Sequence, residues 1–143
     1  MGCDFCVYLP DDGKYDCGMA YSTFNRVRTS IVALYLQKHN VDVFMTDEED
    51  YGLTFAVVSQ SLMEKVSDAL DNMCTDEANS LKVFWEHSDC DGSYWSEDCV
   101  NIGAAIKSVL KMFDEEDPDK ERAEALAEMF CYAGEKQGIV EVC

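Results

Sequence analysis

The chain has 143 residues, of which 48% are hydrophobic and 11% aromatic, and it carries a net charge of -18. That is enough apolar material for one domain with its own core, and too much for a disordered acidic tail. No apolar run approaches the roughly 18 residues that span a bilayer, and so acidic a chain argues against direct binding of nucleic acid.

The opening MGCDFCVYLPDDG lacks the basic segment and long apolar core of a secretory signal. The eight cysteines are too sparse for a disulfide scaffold. They are expected as reduced thiols in a cytoplasm, most of them small core residues. Gly2 and Cys3 would suit acylation, but Cys6 stands where the motif wants Ser or Thr. CDFCVYL, residues 3–9, is rich in β-formers and reads as a strand. Residues three apart on a strand point to opposite faces, so Cys3 and Cys6 are not expected to share a metal or form a redox pair.

PDDG breaks that strand. Ser22 or Thr23 can cap a helix to about Asn40, with Phe24, Val27, Ile31, Leu34 and Tyr35 as its core stripe. VDVFM (41–45) and LTFAVV (53–58) read as strands on either side of the acidic turn TDEEDYG. Ser61 and Glu64 form a Ser-x-x-Glu capping box for a helix that carries Leu62, Val66, Ala69, Leu70 and Met73 on one face. Thr75 caps a shorter helix with Leu81, Phe84 and Trp85. After a loop, Ser96 opens a long helix whose stripe is Cys99, Ile102, Ile106, Val109, Leu110 and Phe113. Asp117-Pro118 is a cap and first-turn pair. The helix that follows buries Ala123, Leu126, Ala127 and Phe130, with Gly134 and Gly138 as stops. IVEVC is a final strand. The order β-α-β-β-α-α-α-α-β predicts a single α+β domain of about four strands, mixed or antiparallel, and about five helices.

The loop HSDCDGSYWSED, residues 87–98, has two readings. Aligned as an EF-hand loop on Gly92, it places Asp89, Asp91, the Ser93 carbonyl and Asp98 at calcium-ligand positions. His87 and Trp95 then stand where oxygen ligands belong. Zinc would instead use His87, Cys90 and Cys99. In the structural reading the loop binds nothing. Asp89 or Asp91 caps backbone N–H groups, Gly92 takes a positive φ, Ser96 starts the next helix, and Cys90 and Cys99 face the core. The run FWEHSDCDGSYWSEDC, with AGEKQGIVEV near the end, resembles a group of small bacterial and phage proteins. These share an HSDCDG-type turn followed by a helix with an early cysteine. The resemblance covers roughly the last 60 residues; it implies the helix-turn-helix arrangement and no chemistry.

No P-loop, Rossmann glycine run or G-x-S-x-G is present, and the two histidines have no fixed catalytic partner, so no enzyme is expected. The charge is one-sided. Residues 1–40 hold four acids and four bases, while residues 41–143 hold 25 acids and seven bases. Such a field speeds encounter with a basic partner and repels nucleic acid and anionic membrane. The function expected is therefore a small acidic cytoplasmic interaction protein of the inhibitor type. An immunity protein or a phage-encoded blocker of a nucleic-acid-binding factor is the concrete form. The partner-binding candidates are Asp47, Glu48, Glu49 and Asp50, with Asp114, Glu115, Glu116, Asp117, Asp119 and Glu121. The alternatives are a metal-binding module on the 87–98 loop and a structural protein without a ligand.

Overall fold

A computed structural model describes residues 2–10, 14–41, 60–88 and 91–142. Strand β1 (Gly2–Tyr8) buries Cys3, Phe5 and Val7, while Gly2, Asp4 and Tyr8 are exposed. Cys3 and Cys6 thus sit on opposite faces, as the strand period requires. Antiparallel to β1 on one side runs β2 (Lys14–Ala20), in register from Gly2↔Ala20 to Tyr8↔Lys14. On the other side lies β4 (Ile139–Val142), the expected final strand, and β3 (Ser93–Tyr94) pairs with β4. The sheet order is β2-β1-β4-β3, antiparallel throughout.

Among the described residues there are five α-helices, so the α+β class holds: α1 (Tyr21–Lys38), α2 (Gln60–Met73), α3 (Asp76–Glu86), α4 (Ser96–Val109) and α5 (Pro118–Glu135). The strands expected at 41–45 and 53–58 lie outside the described residues. The strand at 14–20 and the two-residue strand at 93–94 occupy positions without a strand in the sequence reading.

Boundaries follow local chemistry. The predicted cap at Ser22 or Thr23 is not used. β2 runs straight into α1 with Ala20 at the N-cap and no side-chain cap bond. At its other end α1 closes with Asn40 at φ 60, Asn40 N–H on the Gln37 carbonyl and Val41 N–H on the Leu36 carbonyl. This is a Schellman turn with asparagine in the left-handed position. Ser61 lies inside the first turn of α2, which begins at Gln60. Thr75 caps α3 by accepting from Ala78 N–H at 3.1 Å, and Asp117 caps α5 by accepting from Asp119 N–H at 2.9 Å.

The helices and the inner sheet face share one apolar core. A chain of aromatic contacts runs through it from β1 to α1, α3, α5 and β3. Phe5 meets Phe24 at 5.0 Å, Phe24 meets Phe84 at 6.0 Å, Phe84 meets Phe130 at 5.7 Å, and Phe130 meets Tyr94 at 5.1 Å. These rings meet edge to face, the arrangement their quadrupoles favour. α4 and α5 pack closely because each presents a glycine to the other. A Cβ on Gly103 would fall 2.5 Å from Cys131 Sγ, and one on Gly134 would fall 2.5 Å from Val100.

Candidate functional site

The loop between α3 and α4 is built around His87. Its ring stacks on Tyr94 with centroids 4.0 Å apart, and its two nitrogens lie 2.9 Å from the Ser88 carbonyl and 3.0 Å from the Ser93 carbonyl. Gly92 takes φ 95 and crosses under that ring; a Cβ there would stand 2.9 Å from His87 Cε1. Arg28 of α1 reaches over the loop and donates to the His87 carbonyl at 2.6 Å and the Phe84 carbonyl at 3.2 Å.

The metal candidates divide accordingly. Asp89 and Cys90 lie outside the described residues. Asp91 is exposed. The Ser93 carbonyl is engaged by His87. Asp98 is turned back to α3, where its Oδ1 accepts from Ser80 Oγ at 2.8 Å, and Asn101 donates to the same Ser80 at 3.1 Å. Cys99 is fully buried, and burial pushes its thiol up to about 12. Among the described residues no group of three or more His, Cys, Asp and Glu side chains converges on a common point. Of the structural reading, the positive φ at Gly92, the helix start at Ser96 and the buried Cys99 are present, while its Asp89 and Cys90 lie outside the described residues.

The acidic candidates also divide. Asp47, Glu48, Glu49 and Asp50 lie outside the described residues. Asp119 is not a surface group. It is 7% exposed and accepts from Arg26 Nε at 2.7 Å, Arg26 Nη2 at 2.8 Å and Arg122 Nη1 at 2.9 Å. The Arg26 bonds, helped by Arg122, hold its carboxyl below the usual carboxylate range. It therefore drops out as a partner-binding residue, because its charge is spent tying α1 to α5. Asp114 accepts from Glu116 N–H at 3.2 Å, and Asp117 is the α5 cap. Glu115 lies 3.6 Å from Lys120 Nζ but is 92% exposed along its side chain. Glu116 and Glu121 are exposed.

Glu121 begins a stripe that the dense 114–121 cluster concealed. Glu121, Glu124, Glu128 and Glu135 are all exposed, as is Tyr132 between the last two. At 3.6 residues per turn these five positions fall within about 80° of α5, and the stripe is about 21 Å long. The opposite side of the helix is buried through Ala123, Leu126, Met129, Phe130 and Ala133. Among the described residues none of the four carboxylates has an ion-pair partner. The signal was available in the sequence as glutamates spaced three, four and seven apart.

Two of the concave sites among the described residues lie elsewhere. A cavity of about 460 Å³ is lined by Tyr35, His39, Val41, Met73, Thr75 and Glu77. Burial and the Glu77 carboxylate raise the Tyr35 hydroxyl well above its ordinary range, and the His39 ring lies 4.6 Å from the Tyr35 ring. A groove of about 400 Å³ between α2 and α3 joins Glu64, Asp68 and Glu86 to Lys82. Lys82 is already bonded to Asp71 at 2.9 Å. In the same groove Ser67 Oγ donates to the Glu86 carboxylate at 3.1 Å, a solvent-exposed surface contact.

No protein-family model matches the chain, and neither a characterised protein nor a solved structure matches it significantly. Among the described residues no helix is long and apolar enough to cross a membrane.

Proposed function

We propose that the protein is an acidic interaction protein of the inhibitor type, which covers the cationic surface of a basic protein partner. The observation that carries this reading is the outer face of α5, where four carboxylates without an ion-pair partner among the described residues line up on a helix anchored by its buried side. Carboxylate oxygens accept from Arg and Lys with the same charge-assisted geometry as phosphate oxygens. A surface built to hold nucleic-acid phosphates would therefore accept the stripe, and an immunity protein or a phage-encoded blocker would act in this way. Cys17, Cys74, Cys99 and Cys131 are free thiols, which suits a reducing cytoplasm.

The test immobilises the chain and probes it with purified basic nucleases and nucleic-acid-binding proteins at about 50 and 300 mM salt. A true partner should be held at low salt, released at high salt, and displaced by its own nucleic acid. It should bind at least tenfold more weakly to the variant with Glu121, Glu124, Glu128 and Glu135 all changed to Gln. Capture that ignores ionic strength, or that is equal with the Gln variant, would overturn the reading.

A further inference from the structure

The cavity of about 460 Å³ at the end of α1 has a wall that packing alone does not call for. Tyr35 and His39 come from the last turn of α1 and its C-cap, Met73 from the end of α2, and Thr75 and Glu77 from the cap and first turn of α3. Asn40 and Cys74, both left-handed, turn the chain on either side of it. Tyr35 is 2% exposed, and its hydroxyl donates to the Glu77 carboxylate. A carboxylate has room for several donors, of which Tyr35 is one. Glu77 is half-buried, and among the described residues it has no ion-pair partner. A charge partly removed from water without a counter-ion is costly. Here it stands in the wall of a hollow that is otherwise lined by two aromatic rings, Val41, Met73 and the Thr75 cap.

The backbone adds to the same charge. α1 and α2 end at the cavity and α3 begins there, so two negative helix ends meet one positive end. That positive end is offset by Asp76 and Glu77 in the first turn of α3, and Thr75 Oγ accepts from Ala78 N–H. Lys38, next to His39 in the chain, has its ammonium on the Ser108 carbonyl of α4. We propose that the cavity is a binding site for a small organic cation with a flat apolar body, of the arylamidinium class. Its paired N–H groups donate to Glu77 in the forked geometry that a carboxylate accepts. Its flat body lies beside the Tyr35 and His39 rings, whose centroids are 4.6 Å apart, and its apolar edge meets Val41 and Met73. The volume suits a ligand of that size. An anion would be repelled by Glu77, and a neutral ring would leave the carboxylate without its counter-ion.

The site shares no residue with the α5 stripe, so it stands or falls apart from the basic-partner reading. The probe is benzamidine, titrated by calorimetry at about pH 8, where imidazoles are neutral, with benzamide as its uncharged counterpart. Benzamidine should bind at least about tenfold more tightly than benzamide. Glu77→Gln should weaken benzamidine roughly tenfold or more and close that gap. Tyr35→Phe keeps the ring, removes the hydroxyl that orients Glu77, and should cost about two- to tenfold. Changing Glu121, Glu124, Glu128 and Glu135 to Gln should leave benzamidine binding unaltered, which separates the cavity from general attraction to a chain of net charge -18. Where a cavity variant fails to melt cooperatively, the unaltered protein decides by amide resonances. Benzamidine should shift those of His39, Thr75 and Glu77, and benzamide should not. Equal binding of the two probes, no binding of benzamidine, full binding by a folded Glu77→Gln variant, or shifts confined to other residues would each overturn the proposal.

Discussion

Asp119 accepts three charge-assisted hydrogen bonds from Arg26 and Arg122, and its carboxyl titrates below the usual range. In the unfolded chain it titrates near the ordinary value of about 3.9. The folded value is the lower one, so the stabilisation is complete above the unfolded value and is lost as the pH falls through the folded one. The Arg26 side chain is 35% exposed, which screens the pair and sets its worth below that of a fully buried one. Asp119→Asn should therefore cost about 2 kcal/mol at pH 7 and make urea midpoints less sensitive to pH below about 4. An acid limb as steep as that of the unaltered protein would contradict this role. At Gly92 the constraint is steric. The backbone is left-handed, and His87 Cε1 would stand 2.9 Å from an added Cβ. Gly92→Ala should lower stability by about 1–3 kcal/mol, measured by thermal melting, through backbone strain and displacement of the imidazole from its two carbonyls.

α5 carries structure on one side and charge on the other, which makes the two separable. Its glutamates at 121, 124 and 128 are like charges at three- and four-residue spacing, and Glu135 stands at a helix C-terminus, whose dipole disfavours anions. The stripe therefore works against the helix that displays it. Glu124→Gln with Glu128→Gln should raise stability by a few tenths of a kcal/mol in denaturant titration while weakening capture of a basic partner. A loss of stability would mean that the carboxylates support the fold instead. This face was legible in the sequence as a spacing, and the helices of residues 60–135 were legible as apolar stripes with Thr75 and Asp117 at their caps. β2 was not. KYDCGMA contains Lys, Asp and Gly, which are depleted in strands, and it is a strand because β1 supplies seven paired positions beside it. The start of α1 was misplaced for the same reason, since Ala20 ends a strand that the local sequence does not signal. Asp119 looked like its neighbours because Arg26, its partner, lies 93 residues away.

For the whole molecule, 11 bases stand against 29 acids, and at least four of those bases are engaged by groups of the fold itself. Arg26 and Arg122 hold Asp119, Arg28 donates to the Phe84 and His87 carbonyls, and Lys38 donates to the Ser108 carbonyl. The surface is left with an excess of carboxylates that repel one another in the compact state. Added salt screens that repulsion over the Debye length, which falls from about 30 Å at 0.01 M to about 8 Å at 0.15 M. Thermal midpoints should therefore rise with sodium chloride across that range, the reverse of a fold held by exposed ion pairs. The same measurement tests the 87–98 loop as a metal site. A calcium site there would add stabilisation through mass action, which grows with the ratio of free ion to dissociation constant. Calcium and magnesium at matched ionic strength should raise the midpoint equally if charge screening is the whole effect. A clear excess for calcium that disappears in Asp91→Ala would restore the loop as a binding site. It would also require Asp98 to leave Ser80 and the Ser93 carbonyl to leave His87, a rearrangement that amide exchange across β3 would detect.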